Sequence, residues 1–385
     1  MGFRIAWHPG AVSILYPNGD VLALDLCGRP FAVFMDGRSY RRGLGGRILQ
    51  IVRTITGRRG FEDVVGTEKV RLISRIFDRL TGSRINDLSS IDNGITKYKR
   101  FDRWLTERRL KSVTDLQRDA LRYSEVYGRV GILPPDQYQS IVIQLTRGCA
   151  YNRCRFCRFY RGETYQVLDK RQLEEHIFSV SEYLGPALPV RNRIWLGEAS
   201  VLGVEQDHLV GCVETVRNHL SGPARGGLAA FGDLIVSRKR SVKEYRDLCQ
   251  AGLQRLYIGI ESGCPEIRKA LHKPLDDEMV LKTLNAMREG GISINPIFLL
   301  GAGGLAAEEQ HVKGTADLLS RLEVRPGERV YLSPIVAGDD DGVELLGAGT
   351  RPLTPEQIDR QRSLLESLVP GEFRFATYDI RGFLY

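Results

Sequence analysis

The chain has 385 residues, of which 42% are hydrophobic and 26% are charged, and this composition is typical of a globular protein. No stretch approaches the roughly 20 apolar residues that a membrane helix needs, and Met1 to Pro30 lacks the segments of a signal peptide. The sequence therefore predicts a cytoplasmic protein without membrane contact. Seven cysteines, three of them within nine residues, do not form the regular framework of a secreted domain.

The formal charge of +8 would suit an acidic partner such as nucleic acid. The basic residues are spread along the chain, however, and a solvated surface explains them as well.

Residues 1–135 form a predicted N-terminal extension. From Phe3 to about Gly45, short apolar runs flank Asn18-Gly19 and Asp36-Gly37, which are preferred two-residue hairpin turns. A β-hairpin within a small antiparallel sheet is expected there. Between Arg47 and Arg129 the apolar spacing becomes helical, as in "TEKVRLISRIFDRL" and "DLQRDALRYSEVYGRV", which indicates a helical extension.

Residues 136–340 alternate predicted strands with predicted helices, which indicates a parallel sheet. The six strands lie in "SIVIQLTRG", "NRIWLG", "GGLAAFGDLIVS", "RLYIGIES", "SINPIFLLG" and "RVYLSPIV". The helices are expected at Lys170–Tyr183, Gln206–Leu220, Val242–Ala251, Asp277–Glu289 and Ala307–Leu322. Because a closed barrel has eight strands, the predicted fold is α/β, a partial (β/α)6 barrel. Residues 341–385 supply one more helix and an extended tail.

Three cysteines, Cys149, Cys154 and Cys157, lie in a glycine-containing loop directly after the first barrel strand. Catalytic groups of such barrels sit in the loops at the carboxyl ends of the strands. Three thiolates can hold three irons of a 4Fe-4S cluster and leave the fourth iron open for a ligand.

This loop, "CAYNRCRFC", resembles that of the radical S-adenosylmethionine (radical SAM) superfamily, which usually reads CxxxCxxC with an aromatic residue before the third cysteine. Here the first gap is four residues, and Phe156 occupies the aromatic position. The segment from about Ser140 to Val336 is similar to the barrel of oxygen-independent coproporphyrinogen oxidases and of tRNA-modifying members. The resemblance does not extend to the first 135 residues.

The resemblance implies a set of residues that bind S-adenosylmethionine. Gly197 and Glu198 would receive the amino group of its methionine part, and Glu261 would face the ribose. The strand end at Leu300 and Gly301 would contact adenine, and Phe156 would complete the cofactor site.

The resemblance also implies an activity. An electron donor such as flavodoxin or ferredoxin would reduce the cluster. S-adenosylmethionine would then be cleaved to a 5'-deoxyadenosyl radical that takes hydrogen from an unidentified substrate, either a small molecule or RNA.

Two alternatives stay open. The chain could be an RNA-modifying member of the superfamily that binds RNA phosphates with its basic N-terminal region. It could also be a non-catalytic scaffold protein that binds an iron-sulfur cluster or zinc. A closed zinc site needs a fourth ligand, and neither Cys nor His lies between Cys157 and His176. Cobalamin is disfavoured, because His8 is followed by Pro9-Gly10 and no DxHxxG pattern is found. Tyr160 and His311 are expected to be a packed tyrosine and a surface histidine.

Overall fold

The computed structural model describes residues 3–54, 57–83, 95–237, 240–323, 325–336, 350–369 and 371–385. The chain divides into two compact units. The first comprises Met1–Val130, Phe178–Asn192 and Leu384–Tyr385, and the second comprises Gly131–Ile177 and Arg193–Phe383. The predicted domain boundary between residues 340 and 341 lies outside the described residues. The predicted boundary at residue 135 stays a prediction.

The first unit contains a seven-stranded antiparallel sheet in which each strand pairs with the next along the chain. The strands are β1 (Arg4–His8), β2 (Ala11–Leu15), β3 (Val21–Asp25), β4 (Pro30–Met35), β5 (Arg38–Arg42), β6 (Ile48–Arg53) and β7 (Arg59–Asp63). At the predicted turn between β4 and β5, Asp36 and Gly37 have φ angles of 52° and 75°, as such hairpins require.

The predicted hairpin is thus part of a larger sheet, and the helical prediction from Arg47 onward is wrong for β6 and β7. β-branched residues are frequent in this stretch, among them Ile48, Ile51 and Val52, and they favour extended backbone. β6 is six residues long and β7 five. Segments this short leave no room for the turns of a stable helix.

Three helices follow the antiparallel sheet in the Met1–Val130 segment of the first unit: α1 (Gly66–Thr81), α2 (Ile95–Glu107) and α3 (Val113–Tyr127). The predicted apolar face of α1 is buried at Ile73, Ile76, Phe77 and Leu80, whereas Val70 is exposed. These residues pack with Ile14, Leu22 and other sheet residues in one hydrophobic core.

The second unit is built on a seven-stranded parallel sheet. Its strands, in spatial order, are β8 (Ile141–Ile143), β11 (Ile194–Leu196), β12 (Leu228–Gly232), β13 (Leu253–Glu261), β14 (Ser293–Leu300), β15 (Val330–Pro334) and β16 (Phe375–Thr377). Two short strands, β9 (Thr146–Arg147) and β10 (Gln166–Val167), form a separate ladder. Six strands were predicted; the seventh is β16, which lies in the predicted extended tail and pairs with β15.

Helices connect the parallel strands, as the alternation predicted. They are α4 (Lys170–Leu184), α5 (Gln206–His219), α6 (Ser221–Ala224), α7 (Val242–Ala251), α8 (Pro265–Ala270), α9 (Asp277–Glu289), α10 (Glu308–Ser320) and α11 (Pro355–Leu368). In the described part of the chain, none of the helices has the length and apolar character needed to cross a membrane.

Candidate functional site

The loop that carries the three cysteines has a defined internal structure. Asn152 has a φ angle of 45°, a left-handed conformation that asparagine tolerates better than most residues. Its backbone N–H donates to the Sγ of Cys149 at 3.2 Å, and its side-chain Nδ2 donates to the carbonyl of Tyr160 at 2.9 Å. The longer first gap of the motif is therefore a turn that Asn152 stabilises.

The cysteine loop is fixed to the turn that follows α8. The hydroxyl of Tyr151 donates to the carbonyl of His272 at 2.6 Å, and the backbone N–H of Arg155 donates to the carbonyl of Leu271 at 3.1 Å. Phe156 packs against a small cluster of buried apolar residues that includes Leu271 and Leu299. These contacts hold the loop close to the carboxyl end of β13.

A buried lysine connects two strand ends beside this loop. Lys273 Nζ lies 2.9 Å from Glu261 Oε1 and 3.1 Å from Asp233 Oδ2. Glu261 ends β13, and Asp233 directly follows β12. Burial disfavours the ammonium charge, but the two carboxylates outweigh burial and hold the pKa of Lys273 well above its ordinary value. Lys273 is therefore a fixed positive charge.

The backbone around Glu261 is adapted to this ion pair. Glu261 has a φ angle of 71°, which is an unfavourable conformation for glutamate. A Cβ atom at Gly259 would lie 2.2 Å from Glu261 Oε1 and 2.9 Å from Lys273 Nζ. The missing side chain of Gly259 thus makes room for both charged groups.

All three thiols are within the electrostatic reach of Lys273. Burial raises the pKa of each, to about 12 for Cys154, and the positive charge of Lys273 opposes this rise at Cys149, Cys154 and Cys157. The charge of Cys157 also raises the pKa of Cys154, and the charge of Cys149 raises that of Cys157. A metal centre that binds the thiolates would replace the protons that burial retains.

The three cysteine thiols suit an iron-sulfur cluster, in which each thiolate binds a different iron. Among the described residues, no three or more His, Cys, Asp and Glu side chains are grouped as ligands of one metal ion.

Gly197 and Glu198 follow β11 and lie at the base of the cysteine loop. Glu198 Oε1 accepts a hydrogen bond from Gln144 Nε2 at 2.8 Å, and its Oε2 accepts one from the backbone N–H of Gly148 at 2.9 Å. Burial raises the pKa of Glu198, and these two hydrogen bonds oppose the rise. Gly197 has a φ angle of 72°, so this turn favours glycine. Glu198 therefore links the carboxyl end of β11 to that of β8, which Gln144 follows.

The end of β14 is covered by helix α11. The backbone N–H of Gly301 donates to Gln361 Oε1 at 2.7 Å, and the carbonyl of Leu300 accepts from the N–H of Ile335 at 3.0 Å. Leu300 is fully buried. The predicted adenine contacts would therefore use the second acceptor site of a carbonyl that is already hydrogen-bonded.

The structure brings the cysteines, Phe156 and Glu261 together through the Lys273 turn, and Glu198 meets the loop through Gly148. The roles predicted for these residues stay predictions. Sequence reasoning missed Asp233 and Lys273, because neither belongs to a motif and their meeting depends on the order of strands. Tyr160 is packed as expected. His311 is fully buried against Ser262, so the expectation of a surface histidine was wrong.

Comparison with curated proteins finds one distant relative. It is the 4'-phospho-dehydrooxetanocin synthase of Priestia megaterium, which is 22% identical over 213 residues. The alignment covers 52% of this chain and 27% of that protein, so this chain spans about a quarter of the relative's length. No family model matches the chain.

Comparison with solved structures finds distant similarities in fold. Coproporphyrinogen III oxidase of Escherichia coli, described as a radical SAM enzyme, is 15% identical, with a TM-score of 0.43. That match covers 64% of this chain and 54% of the oxidase. For a cobalamin-dependent S-adenosylmethionine radical enzyme the identity is 13%, the TM-score 0.39 and the coverage 84% and 37%. For methylornithine synthase the identity is 13%, the TM-score 0.41 and the coverage 78% of each chain. Two of these three proteins are described as radical SAM enzymes.

Proposed function

We propose that this chain is a radical SAM enzyme whose single 4Fe-4S cluster is held by Cys149, Cys154 and Cys157. The observation that carries the proposal is the position of these thiols. They lie in one loop after the first strand of a sequentially ordered parallel sheet, and two hydrogen bonds fix this loop to the turn before Lys273. In parallel α/β sheets the carboxyl ends of the strands are the usual place for catalytic groups.

In the proposed site, Lys273 acts on the charge of the three thiolates. Three thiolates in a buried loop concentrate negative charge, which costs free energy in a poorly solvated environment. The ammonium of Lys273, which Glu261 and Asp233 hold in place, offsets part of that cost, whereas the charges of the two carboxylates add to it. Burial and nearby charge are among the factors by which a protein sets the reduction potential of an iron-sulfur cluster.

The cofactor would lie over the neighbouring strand ends. In this proposal Gly197 and Glu198 receive the methionine part, Glu261 faces the ribose, Leu300 and Gly301 line the adenine side, and Phe156 supports the cluster loop. The parallel sheet would then be a partial barrel, with seven strands in place of the six predicted. When bound, the cluster supplies the electron that cleaves S-adenosylmethionine to methionine and a 5'-deoxyadenosyl radical.

The reaction needs a reductant and a substrate. A small electron-transfer protein such as flavodoxin or ferredoxin would supply the electron, and the substrate is a small molecule or RNA. The protein's own contribution is to position the reactants and to exclude water, because the cofactor performs the difficult chemistry.

The test is anaerobic reconstitution with iron and sulfide, followed by addition of S-adenosylmethionine and dithionite. We expect about four irons per chain, a 4Fe-4S spectrum and 5'-deoxyadenosine detected by mass spectrometry. Cys157→Ala should lose the cluster and the product. The matched control is Cys249→Ala, since Cys249 lies on α7, away from the cysteine loop in the sequence, and should keep both.

Two outcomes would contradict the proposal. A stable 4Fe-4S cluster without 5'-deoxyadenosine would favour an iron-sulfur scaffold. Stoichiometric zinc that is lost in Cys157→Ala, with no iron uptake, would favour a zinc-binding scaffold.

A further inference from the structure

One face of the antiparallel sheet in the first unit is buried at one end of its strands, at Ala11, Ala23 and Leu49, and is left uncovered nearer the other end. The register aligns one residue from each of the seven strands in a continuous row across this face. The row consists of Arg4, Leu15, Val21, Phe34, Ser39, Ile51 and Phe61, and it is called the exposed row below. None of its members is buried. Leu15 and Phe34 are 42% and 39% exposed.

The opposite face of the same strands is the core face. Ile14 and Leu22, which are the neighbours of Leu15 and Val21 along the chain, are fully buried. In a sheet with one core face, the other normally carries polar residues. Here five of the seven positions in the exposed row are apolar, and two of those are phenylalanines. A contiguous apolar surface of this kind marks a binding site more often than a solvated face.

Arginines surround the exposed row. Arg53 on β6 pairs directly with Arg59 on β7. This pair lies two residues along the strands from the pair Ile51 and Phe61, on the same face of the sheet. Like charges placed opposite each other destabilise a sheet. Arg41 lies two residues from Ser39 on β5, on the opposite side of the exposed row from Arg53 and Arg59.

The carboxylates near this face do not neutralise these arginines. Within the described residues, Arg4, Arg41, Arg53 and Arg59 form no ion pair with a carboxylate, and all four are exposed. Asp63, which shares the side of Arg41, is held by two hydrogen bonds from Arg47, at 2.7 and 2.8 Å. The face therefore presents four positive charges beside an apolar row that carries two aromatic rings.

We propose that the exposed row and its four arginines bind single-stranded RNA. The rings of Phe34 and Phe61 would stack on bases, since every base offers a π-face to an aromatic side chain. The arginines would contact phosphates, for which their planar donor group is suited. All four cations of this face are arginines rather than lysines, and this favours a ligand that combines phosphates with stacking surfaces over a carboxylate-rich protein.

This inference concerns the first unit and does not depend on the chemistry proposed for the second. The test is fluorescence anisotropy of the full chain with a labelled 20-nucleotide oligouridylate, without S-adenosylmethionine or iron. Four phosphate contacts predict that the logarithm of the association constant falls against the logarithm of salt concentration with a slope of about −3. Loss of radical chemistry in the cysteine variants would leave this binding unchanged.

Two kinds of variant separate charge from stacking. The double variant Arg53→Gln, Arg59→Gln should weaken binding on the order of tenfold or more at low salt and reduce the slope to about −1.4, because two contacts are lost. Phe34→Ala should weaken binding about tenfold with the slope unchanged, since it removes stacking alone. The matched control is Arg122→Gln, which removes an exposed charge from α3 and should bind as the native chain does.

The proposal is overturned if the folded native chain does not bind the oligonucleotide at low salt, or if Arg53→Gln, Arg59→Gln binds as well as Arg122→Gln. Tighter binding of polyglutamate or of vesicles that contain phosphatidylglycerol, lost in the same double variant, would assign the face to an acidic protein or to a membrane surface and would likewise overturn it. Circular dichroism of each variant checks the fold.

Discussion

Each unit of the molecule buries a cation between two carboxylates, and the two clusters are built differently. In the first unit, the guanidinium of Arg29 donates to both oxygens of Asp119, at 2.6 and 2.8 Å, and to Asp25 at 3.0 Å. A further bond, at 3.0 Å, goes to the carbonyl of Tyr183. In the second unit, Lys273 is a point charge between two carboxylates from different strand ends.

The difference separates a structural cluster from one suited to a functional site. The guanidinium of Arg29 is planar and its N–H donors have fixed directions, which match the carboxylate oxygens of Asp119 and Asp25. One hydrogen bond therefore orients the group for the others. Lys273 has no such fork, its partner Glu261 has a strained backbone, and the group lies beside three thiols. Strain of this kind is tolerated where surrounding structure holds it, which is frequent at functional sites.

Removing Arg29 should give the largest loss of stability. We expect Arg29→Met to lower the free energy of unfolding of the first unit by about 3 to 5 kcal/mol. Buried Asp25 loses its counter-charge, and Asp119 keeps only the longer ion pair with Arg109, at 3.3 Å. Urea unfolding followed by circular dichroism measures the loss, with Arg122→Met as a surface control on α3. A loss below about 1 kcal/mol would mean that the Arg29 cluster does not stabilise the unit.

Acid should weaken the second unit through its buried histidines. Burial lowers the pKa of His176 to about 4, and its Nε2 accepts a hydrogen bond from the backbone N–H of Gln144 at 3.1 Å. An unfolded histidine has a pKa of about 6.5. Stability is therefore complete above pH 6.5 and falls as the pH drops to 4, by about 3 kcal/mol in total for this residue.

The control for this pH dependence is His176→Gln, which keeps an acceptor and removes the titrating group. His311 remains in the variant, and burial lowers its pKa to about 4 as well. Urea unfolding at pH 7.5 and 4.5 should therefore show about half the native pH dependence in the variant. An identical dependence in both proteins would contradict the role given to His176.

A smaller effect should come from filling the space beside Lys273. Gly259→Ala places a methyl group against Glu261 and Lys273, and such overpacking costs about 1 to 3 kcal/mol. Gly211→Ala is the matched control, because a Cβ there meets nothing within 4 Å, and it should be neutral or slightly stabilising in helix α5. If both variants unfold alike, the Lys273 cluster does not depend on the absent side chain.

The parts of the fold that follow from local signals were predictable. The bounds predicted for α7 and α9 are those observed, because Ser241 and Asp276 accept hydrogen bonds at their first turns as N-caps do. Strands β6 and β7 were missed, since a helical period was extended over short β-branched segments.

The site divides in the same way. The cysteine loop is a local motif and could be recognised, whereas Asp233 and Lys273 are 40 residues apart in the chain and meet only because β12 and β13 are neighbours. Likewise, nothing in the sequence of "FAT" at residues 375–377 distinguishes a sheet strand from a tail. Its pairing with β15 is a tertiary interaction.

The strand order has a consequence for the time course of synthesis. In both sheets each strand pairs with the next one along the chain, so a sheet can grow at one edge as its strands are made. The cysteine loop comes with the first strand of its sheet, but Lys273 follows Cys157 by 116 residues (273 − 157). At about 5 to 20 residues per second, roughly ten seconds pass in which the thiols have been synthesised without their cation. During that interval the three thiols lack the nearby positive charge that favours their thiolate forms, and it is the thiolate that binds metal.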